Sequence, residues 1–435
     1  YLLIGIIGAG KTIEPVTAGA FPTLFTNPSA PPWLGGVPPW LTGLVVSLVV
    51  LSYVFMGGSR GAAFANTFQT IVFMIMGLVA FVFIINALGG VGKAGEIPAR
   101  ITDKDLVVQD YRFDKDSGAL LKNEPPKPIG KVLSSESSNL TDAQPHFWRE
   151  PVQVEFKKKN PKTGELIPFE RELGIPFITF VTYLFIPLSV GMFPHLFQHW
   201  LTAKNAKSFR LTVIAHPLCI MVVWVPCVLV GAWASGVLPP GIPPPAVLSA
   251  MLNLLVGDPV LIGLLTAGVL AAIMSSLDSQ FLCLGTIFTN DIVVHRAGKE
   301  KYSDKQIIRI ARAFIISIVA LTYGLAMLAK DANVFDLAIW CFSGFSALFP
   351  VVFAALYWKR ATKEGAMASI VGALVTWVYY FHQSGYGGEY MVGPGIVPAA
   401  ICFAVSASAM VVVSLATKPP SSQTIAKFFP DSGEL

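Results

Sequence analysis

The chain is 435 residues long, 54% apolar and only 13% charged, with a formal net charge of +5. Its mean hydropathy is positive, which excludes a soluble globular domain of this size and places it among multispanning membrane proteins. The positive surplus does not call for a nucleic-acid partner, because the basic residues keep to alternate loops.

Apolar runs of the roughly 20 residues that cross a bilayer fall at 2–25, 40–56, 66–88, 175–196, 211–237, 260–294, 307–328, 334–358, 366–381 and 395–416, ten in all. Cys219, Cys227, Cys283, Cys341 and Cys402 all lie inside these runs. Buried free thiols are therefore expected, rather than a disulfide framework or a zinc site. Arg60 follows the second run, and Lys204, Lys207 and Arg210 the fourth. Arg296, Lys299, Lys301, Lys305, Arg309 and Arg312 follow the sixth, and Lys359, Arg360 and Lys363 the eighth. The short connections between them carry no Lys or Arg, Lys330 excepted, so the even-numbered connections and the C-terminus are expected in the cytoplasm. The chain opens on Tyr1, directly in apolar sequence and with no signal-peptide pattern. The expectation is a chain truncated at its N-terminus.

Lys11 and Glu14 stand three residues apart in the first run. Charges at membrane depth are functional candidates by default, although a mutual ion pair explains them equally well. The Pro-rich connections 27–39 and 239–245 are expected to cap the bundle on its outer side. After the second run, Gly57-Gly58 allows a sharp turn, and Asn66 and Gln69 then share one face of the third. This stretch, Met56-Gly-Gly-Ser-Arg-Gly-Ala-Ala-Phe-Ala-Asn-Thr-Phe-Gln69, resembles the sodium:solute symporter family, whose pattern has Thr-Asp where Ala65-Asn66 stands here. The missing acid favours one sodium ion per cycle and speaks against a second cation or proton site.

Residues 89–174 turn polar and charged. One β-hairpin is expected across 157–164, from the alternation in Gln153-Val-Glu-Phe-Lys and Gly164-Glu-Leu-Ile-Pro-Phe-Glu. Asn139-Leu-Thr141 matches a glycosylation sequon. The segment reads as an external decorating insert, with a lid or docking role open.

The fourth run contains Ile186-Pro-Leu-Ser-Val-Gly-Met-Phe-Pro194, whose prolines free backbone groups at membrane depth. Such a break lines a cavity or is covered by protein, and broken helices of this kind are typical of inverted-repeat transporters. The sequel, Gly191-Met-Phe-Pro-His195 onward, resembles the Pro-His motif of family members that carry small carboxylates, with His199 where an Arg is usual. Ser189 and His195 are substrate candidates, His195 being also readable as an interfacial histidine.

The sixth run is the most informative. Ala272, Ser275 and Ser276 share a helix face, and two hydroxyls with a backbone carbonyl supply part of the oxygen shell that a hard cation takes. Serines that simply bind a neighbouring helix would look the same. Asp278 and Ser279 follow as candidates for coupling or gating, with Asn66 and Gln69. The segment Ala271-Ala-Ile-Met-Ser-Ser-Leu-Asp-Ser279 resembles the eighth core helix of the family, where the matching Ala, Ser and Ser ligate sodium. The eighth run, Trp340-Cys-Phe-Ser-Gly-Phe-Ser-Ala-Leu-Phe-Pro350, with Trp358-Lys-Arg-Ala-Thr362 after it, resembles the tenth core helix. There Ser343, Gly344 and Ser346 would lie near the substrate, or serve close packing alone.

The resemblance implies a fold class: an all-α polytopic membrane protein, a LeuT-type inverted-repeat helical bundle lacking its first helices. Residues 1–88 would hold core helices three to five, 89–174 the insert, 175–358 core helices six to ten, 359–416 two accessory helices and 417–435 a cytoplasmic tail. It further implies a sodium-coupled symporter for a small organic solute, a carboxylate or amino acid, working by alternating access. The sodium ion is the cofactor it implies, and the bilayer, expected to be the plasma membrane, its setting. The first core helix, which completes the sodium shell in the family, would lie before Tyr1, so the chain as given is not expected to transport. A transporter-like sensor and a sodium-independent, proton-coupled permease are the alternatives. An intramembrane hydrolase would have only Asp278 with Ser275 or Ser276, and no His or Lys beside them in sequence. The oligomeric state is not legible.

Overall fold

With no water in a bilayer core to satisfy backbone amides, apolar runs that cross it are helical. The computed structural model describes residues 1–18, 36–95, 97, 100–101, 105–108, 111–113, 120–123, 127–134, 152–159, 166–201, 203–238, 242, 244–298, 301–329 and 332–429. Helix α1 spans Leu2–Val16 and α2 Pro39–Ala87, with a break at Gly58 (φ 54°, ψ −151°). The Tyr53 hydroxyl lies against the Gln69 amide. A straight helix would hold these residues about 24 Å apart, so the chain reverses at Gly58. The two limbs of α2, Pro39–Gly58 and Arg60–Ala87, run back along each other.

After a single turn, α3 (Val91–Ala94), the chain enters β structure: β1 Arg100–Ile101, β2 Asp105–Val108, β3 Tyr111–Phe113, β4 Leu120–Asn123, β5 Lys127–Ser134, β6 Val152–Lys159 and β7 Leu166–Leu173. Five strands form an antiparallel sheet in the order β1-β2-β5-β6-β7, and β3 pairs with β4. The expected hairpin is present as β6 and β7, in register from Val152↔Leu173 to Lys159↔Leu166. Its turn, 160–165, the sequon at 139–141 and most of the two Pro-rich connections lie outside the described residues. The all-α reading thus holds for the membrane part and is corrected in the insert, where a sheet stands in place of one hairpin. Short, lysine-rich strands carry too little apolar alternation to be read individually.

The run 175–196 is likewise not one helix. It divides into α4 (Phe177–Tyr183), a 3-10 segment (Ile186–Met192) and α5 (Pro194–Leu201), with the break where Pro187 and Pro194 remove backbone donors. Next come α6 (Phe209–Val237), a short α7 (Val247–Leu255) and α8 (Pro259–Thr286), which continues through a π-helical stretch (Ile287–Val294) into α9 (His295–Ala297). The start of α8 is set locally: the Asp258 carboxylate accepts from the amides of Val260 and Leu261 at 2.8 and 3.1 Å, with Pro259 in the first turn. The remaining helices are α10 (Asp304–Leu328), α11 (Val334–Ser346), α12 (Phe349–Tyr357), α13 (Lys363–Gln383), α14 (Pro398–Ala416) and α15 (Ser422–Phe428).

Eight helical segments among the described residues are long and apolar enough to cross a membrane, against ten runs in the sequence. The two that fall short are α1, 15 residues long, and the broken run at 175–196. The protein is an integral membrane protein. Lipid tails are as apolar as leucine, so these helices are held by close packing and hydrogen bonds more than by a hydrophobic drive. Close approach is visible where a Cβ on Gly268 of α8 would meet the Met76 Cβ of α2 at 2.6 Å. Around that seam α1, α2, α8 and α10 interlock through Ile6, Val50, Leu277, Phe281 and Val319.

Candidate functional site

Helix α8 carries the polar groups on two sides. On one, the Ser275 hydroxyl donates to the Ala272 carbonyl at 2.9 Å, and the Ser276 hydroxyl approaches the same carbonyl at 3.5 Å. Both hydroxyls and the carbonyl therefore lie within about one helical turn, gathered around the Ala272 oxygen. The Tyr1 hydroxyl, at the start of α1, lies beside Ser276. One turn further, Gln280 donates its amide to the Ser276 carbonyl at 2.8 Å and keeps its own oxygen buried with no partner among the described residues.

Gln280 also faces a cavity of about 360 Å³ between α1, α5, α8, α10 and α11, bordered by Tyr1, His195, Cys283, Thr322 and Phe345. No Lys, Arg, Asp or Glu is among its described lining residues. Aromatic stacking shapes one wall: Phe193 lies 5.1 Å from the Tyr1 ring and meets Phe345 edge-on at 4.9 Å, while His195 stacks on Tyr1 at 5.7 Å. Tyr1 and Phe345 also border a second, apolar cavity of about 480 Å³ that includes Trp340 and Trp377. Both indole N–H groups there are engaged, with the carbonyls of Gly388 and Trp340 respectively.

On its other side α8 presents Asp278, fully buried, to the hairpin of α2. Tyr53 on the first limb donates to Asp278 Oδ2 at 3.1 Å, and the Ser279 hydroxyl donates to Oδ1 at 3.1 Å. Asn66 on the second limb donates to Ser279 Oγ at 2.8 Å. The amide oxygens of Asn66 and Gln69 are buried with no partner among the described residues. All four coupling candidates, Asn66, Gln69, Asp278 and Ser279, thus meet in one cluster that ties both limbs of α2 to α8. An acid is present here although position 66 carries none.

The substrate candidates are not gathered in one place. His195 lines the 360 Å³ cavity. Ser189 is 1% exposed, in the 3-10 segment packed on α11, and its hydroxyl has no partner among the described residues. Ser343 and Ser346 turn back onto their own helix, donating to the carbonyls of Ile339 and Ser343 at 2.7 and 3.0 Å, and neither borders the cavity. The His199 side chain lies outside the described residues. Tyr1, Tyr53, Gln280 and Thr322 were not singled out by the sequence. The available signal was a polar tip within an apolar run, which at depth needs a partner. Among the described residues Ser275 and Ser276 bond to Ala272, and Asp278 is held by Tyr53 and Ser279.

A sequence profile of the sodium:solute symporter family matches residues 40–372. The chain belongs to the sodium:solute symporter family. Among relatives, the osmoregulated proline transporter OpuE of Bacillus subtilis (strain 168) is 27% identical over 257 residues, covering 57% of this chain and 50% of that protein. The sodium/proline symporter of Escherichia coli (strain K12) is 30% identical over 273 residues, covering 59% and 50%. The chain spans about half the length of these symporters. The solved structure of a Na+-coupled sialic acid symporter, substrate-bound and outward-open, superimposes with a TM-score of 0.58 at 15% identity, over 96% of this chain and 73% of that one. The symporter fold, of the LeuT type, is thereby shared.

Proposed function

We propose that the complete protein is a sodium-coupled secondary active symporter for a small organic solute, a carboxylate or an amino acid, working by alternating access. The observation that carries this reading is the placement of the Ala272 carbonyl and the Ser275 and Ser276 hydroxyls one turn from Gln280, which borders the 360 Å³ cavity. The proline and sialic acid carried by the relatives both bear a carboxylate. A carboxylate entering a cavity with no Lys or Arg among its described lining residues loses hydration without a fixed counter-charge. A sodium ion roughly 6 Å away would supply one, worth about 3 kcal/mol at an effective dielectric near 20. That is about a hundredfold in affinity, and by linkage the solute tightens sodium by the same factor. Inward movement of the charge adds about 2.3 kcal/mol per 100 mV.

His195 and Ser189 are the substrate-side groups with most support, the first by position and the second by its unpartnered hydroxyl; Ser343 and Ser346 would have to leave their helix carbonyls to take part. Asn66, Gln69, Asp278 and Ser279 with Tyr53 are assigned to coupling, since they join the ion-bearing helix to the α2 hairpin. A proton-coupled cycle is the second reading, favoured by one observation, the fully buried Asp278 held by hydroxyl donors. The basic residues of alternate loops support an orientation with the even-numbered connections and the C-terminus in the cytoplasm, and the bacterial relatives support the plasma membrane as the setting.

The test is uptake of labelled carboxylates, amino acids and sugars by the complete protein in proteoliposomes, in sodium and in choline, with Ser276→Ala alongside. Sodium-dependent uptake of a carboxylate or amino acid that weakens in Ser276→Ala is expected. Equal rates in both media would remove the sodium assignment in favour of proton coupling, and solute binding without any uptake would favour a sensor.

A further inference from the structure

At one end of the bundle the connection from α12 to α13 and the exit from α14 are stitched together. Arg360 donates to the carbonyls of Leu415 and Thr417 at 3.2 and 2.7 Å, and the Thr362 hydroxyl meets that of Thr417 at 2.9 Å. The apolar spans stop at this level, at Tyr357 and Ala416, and a new one starts at Lys363. The segment is therefore a membrane boundary. Beneath it lies a cavity of about 250 Å³, separate from those described above, with Val351, Ala355, Ala366 and Met410 inside and Trp358, Lys359 and Thr362 bordering it.

Helix α15 closes its remaining side. The Ser421 hydroxyl accepts from the Thr424 amide at 3.2 Å and so starts the helix. Ile425 and Phe428 border the cavity, while the Lys427 ammonium stands 5.6 Å from the Phe428 ring centroid. Lys359, Arg360, Lys363, Lys418 and Lys427 surround this end, with Glu364 as the one acid in 358–366 and 417–429. The combination is specific in its demand: an apolar slot opening at the boundary of the bilayer, with a cationic border and a tryptophan at interface depth. Soluble anions match the border but not the slot, and a neutral lipid matches the slot but not the charge.

We propose that this cleft between α12, α13, α14 and α15 is a binding site for an anionic phospholipid, part of one acyl chain entering the slot and the phosphodiester lying against Lys359 and Lys427. Basic pockets at helix ends recognise such headgroups through charge added to apolar burial. The site is independent of the transported solute, so it stands or falls separately from the transport reading.

The experiment is native mass spectrometry of the complete purified protein, exchanged against mixed phosphatidylglycerol and phosphatidylcholine, counting each lipid retained. The wild type is expected to retain phosphatidylglycerol preferentially. Lys359→Gln with Lys427→Gln should reduce that preference about 30-fold, since each basic side chain near the surface contributes roughly a factor of five. Ala355→Trp, which fills the slot and leaves the charges intact, should reduce it as well, whereas Lys204→Gln with Lys207→Gln should not. An unchanged preference in the Lys359→Gln, Lys427→Gln protein would overturn the site. Equal losses in the Lys204→Gln, Lys207→Gln protein would also overturn it, by showing general surface charge; the exposed lysines are replaced without disturbing any described hydrogen bond.

Discussion

Asp278 shows at the scale of single residues how the α2 hairpin and α8 hold each other. Its two oxygens accept from Tyr53 and Ser279, on different helices, and Ser279 in turn receives Asn66. Removing one donor strands a buried carboxylate oxygen, which costs about 1–3 kcal/mol. Tyr53→Phe is therefore expected to lower thermal stability in detergent by that amount, and Asp278→Asn with Tyr53→Phe to cost less than the sum of the two single changes, which share the Tyr53–Asp278 bond. Fully additive losses would show that the bond does not exist in solution. The sequence marks Asp278, Ser279, Asn66 and Gln69 as polar residues at depth, because each is costly there. It cannot pair Tyr53 with Asp278, 225 residues away, since tyrosines in apolar runs are common and their partners are set by tertiary packing. For the same reason Gln280 and Thr322 gain meaning only when α8 and α10 are seen to border one cavity.

At the scale of elements, the reversal at Gly58 decides whether Tyr53 and Asn66 can reach one carboxylate. Its φ of 54° with ψ of −151° belongs to a region almost reserved for glycine. No atom lies within 4 Å of a Cβ placed there, so the effect of substitution is one of backbone strain alone. Gly58→Ala is expected to destabilise by about 1–3 kcal/mol. Gly57→Ala, equally open but without positive φ, should be neutral or stabilise by up to about 1 kcal/mol. Equal effects in denaturation measurements would contradict the reversal. This turn was legible, since two adjacent glycines between apolar runs need little context. The division of run 334–358 into α11 and α12 was not expected, although Pro350 in the first turn of α12 is compatible with a restart. Helix α7 was missed because nine residues between proline and glycine clusters fall well short of a membrane span.

For the molecule as a whole, composition and the spacing of apolar runs were sufficient to read a multispanning helical protein, and local motifs in the right order carried the family. Both signals survive without knowledge of packing. Cavities do not, because they arise where helices distant in sequence fail to fill space: the 360 Å³ cavity draws its border from residues between Tyr1 and Phe345. The sodium assignment sits between these levels. Its three residues are neighbours on one helix, so their proximity is legible while their role stays a proposal, and the solute side depends on which helices converge.

The proposed binding of sodium at Ala272, Ser275 and Ser276 is tested by the thermal stability of the complete purified protein in sodium against choline at equal ionic strength. A ligand held by the folded state stabilises it by about 2.7 kcal/mol at a hundredfold excess over its dissociation constant. Sodium is expected to raise the unfolding temperature of the wild type, choline to leave it unchanged, and Ser275→Ala with Ser276→Ala to abolish the rise. A sodium-dependent rise of the same size in the double variant would contradict the assignment, and no rise in the wild type would remove sodium from this helix altogether.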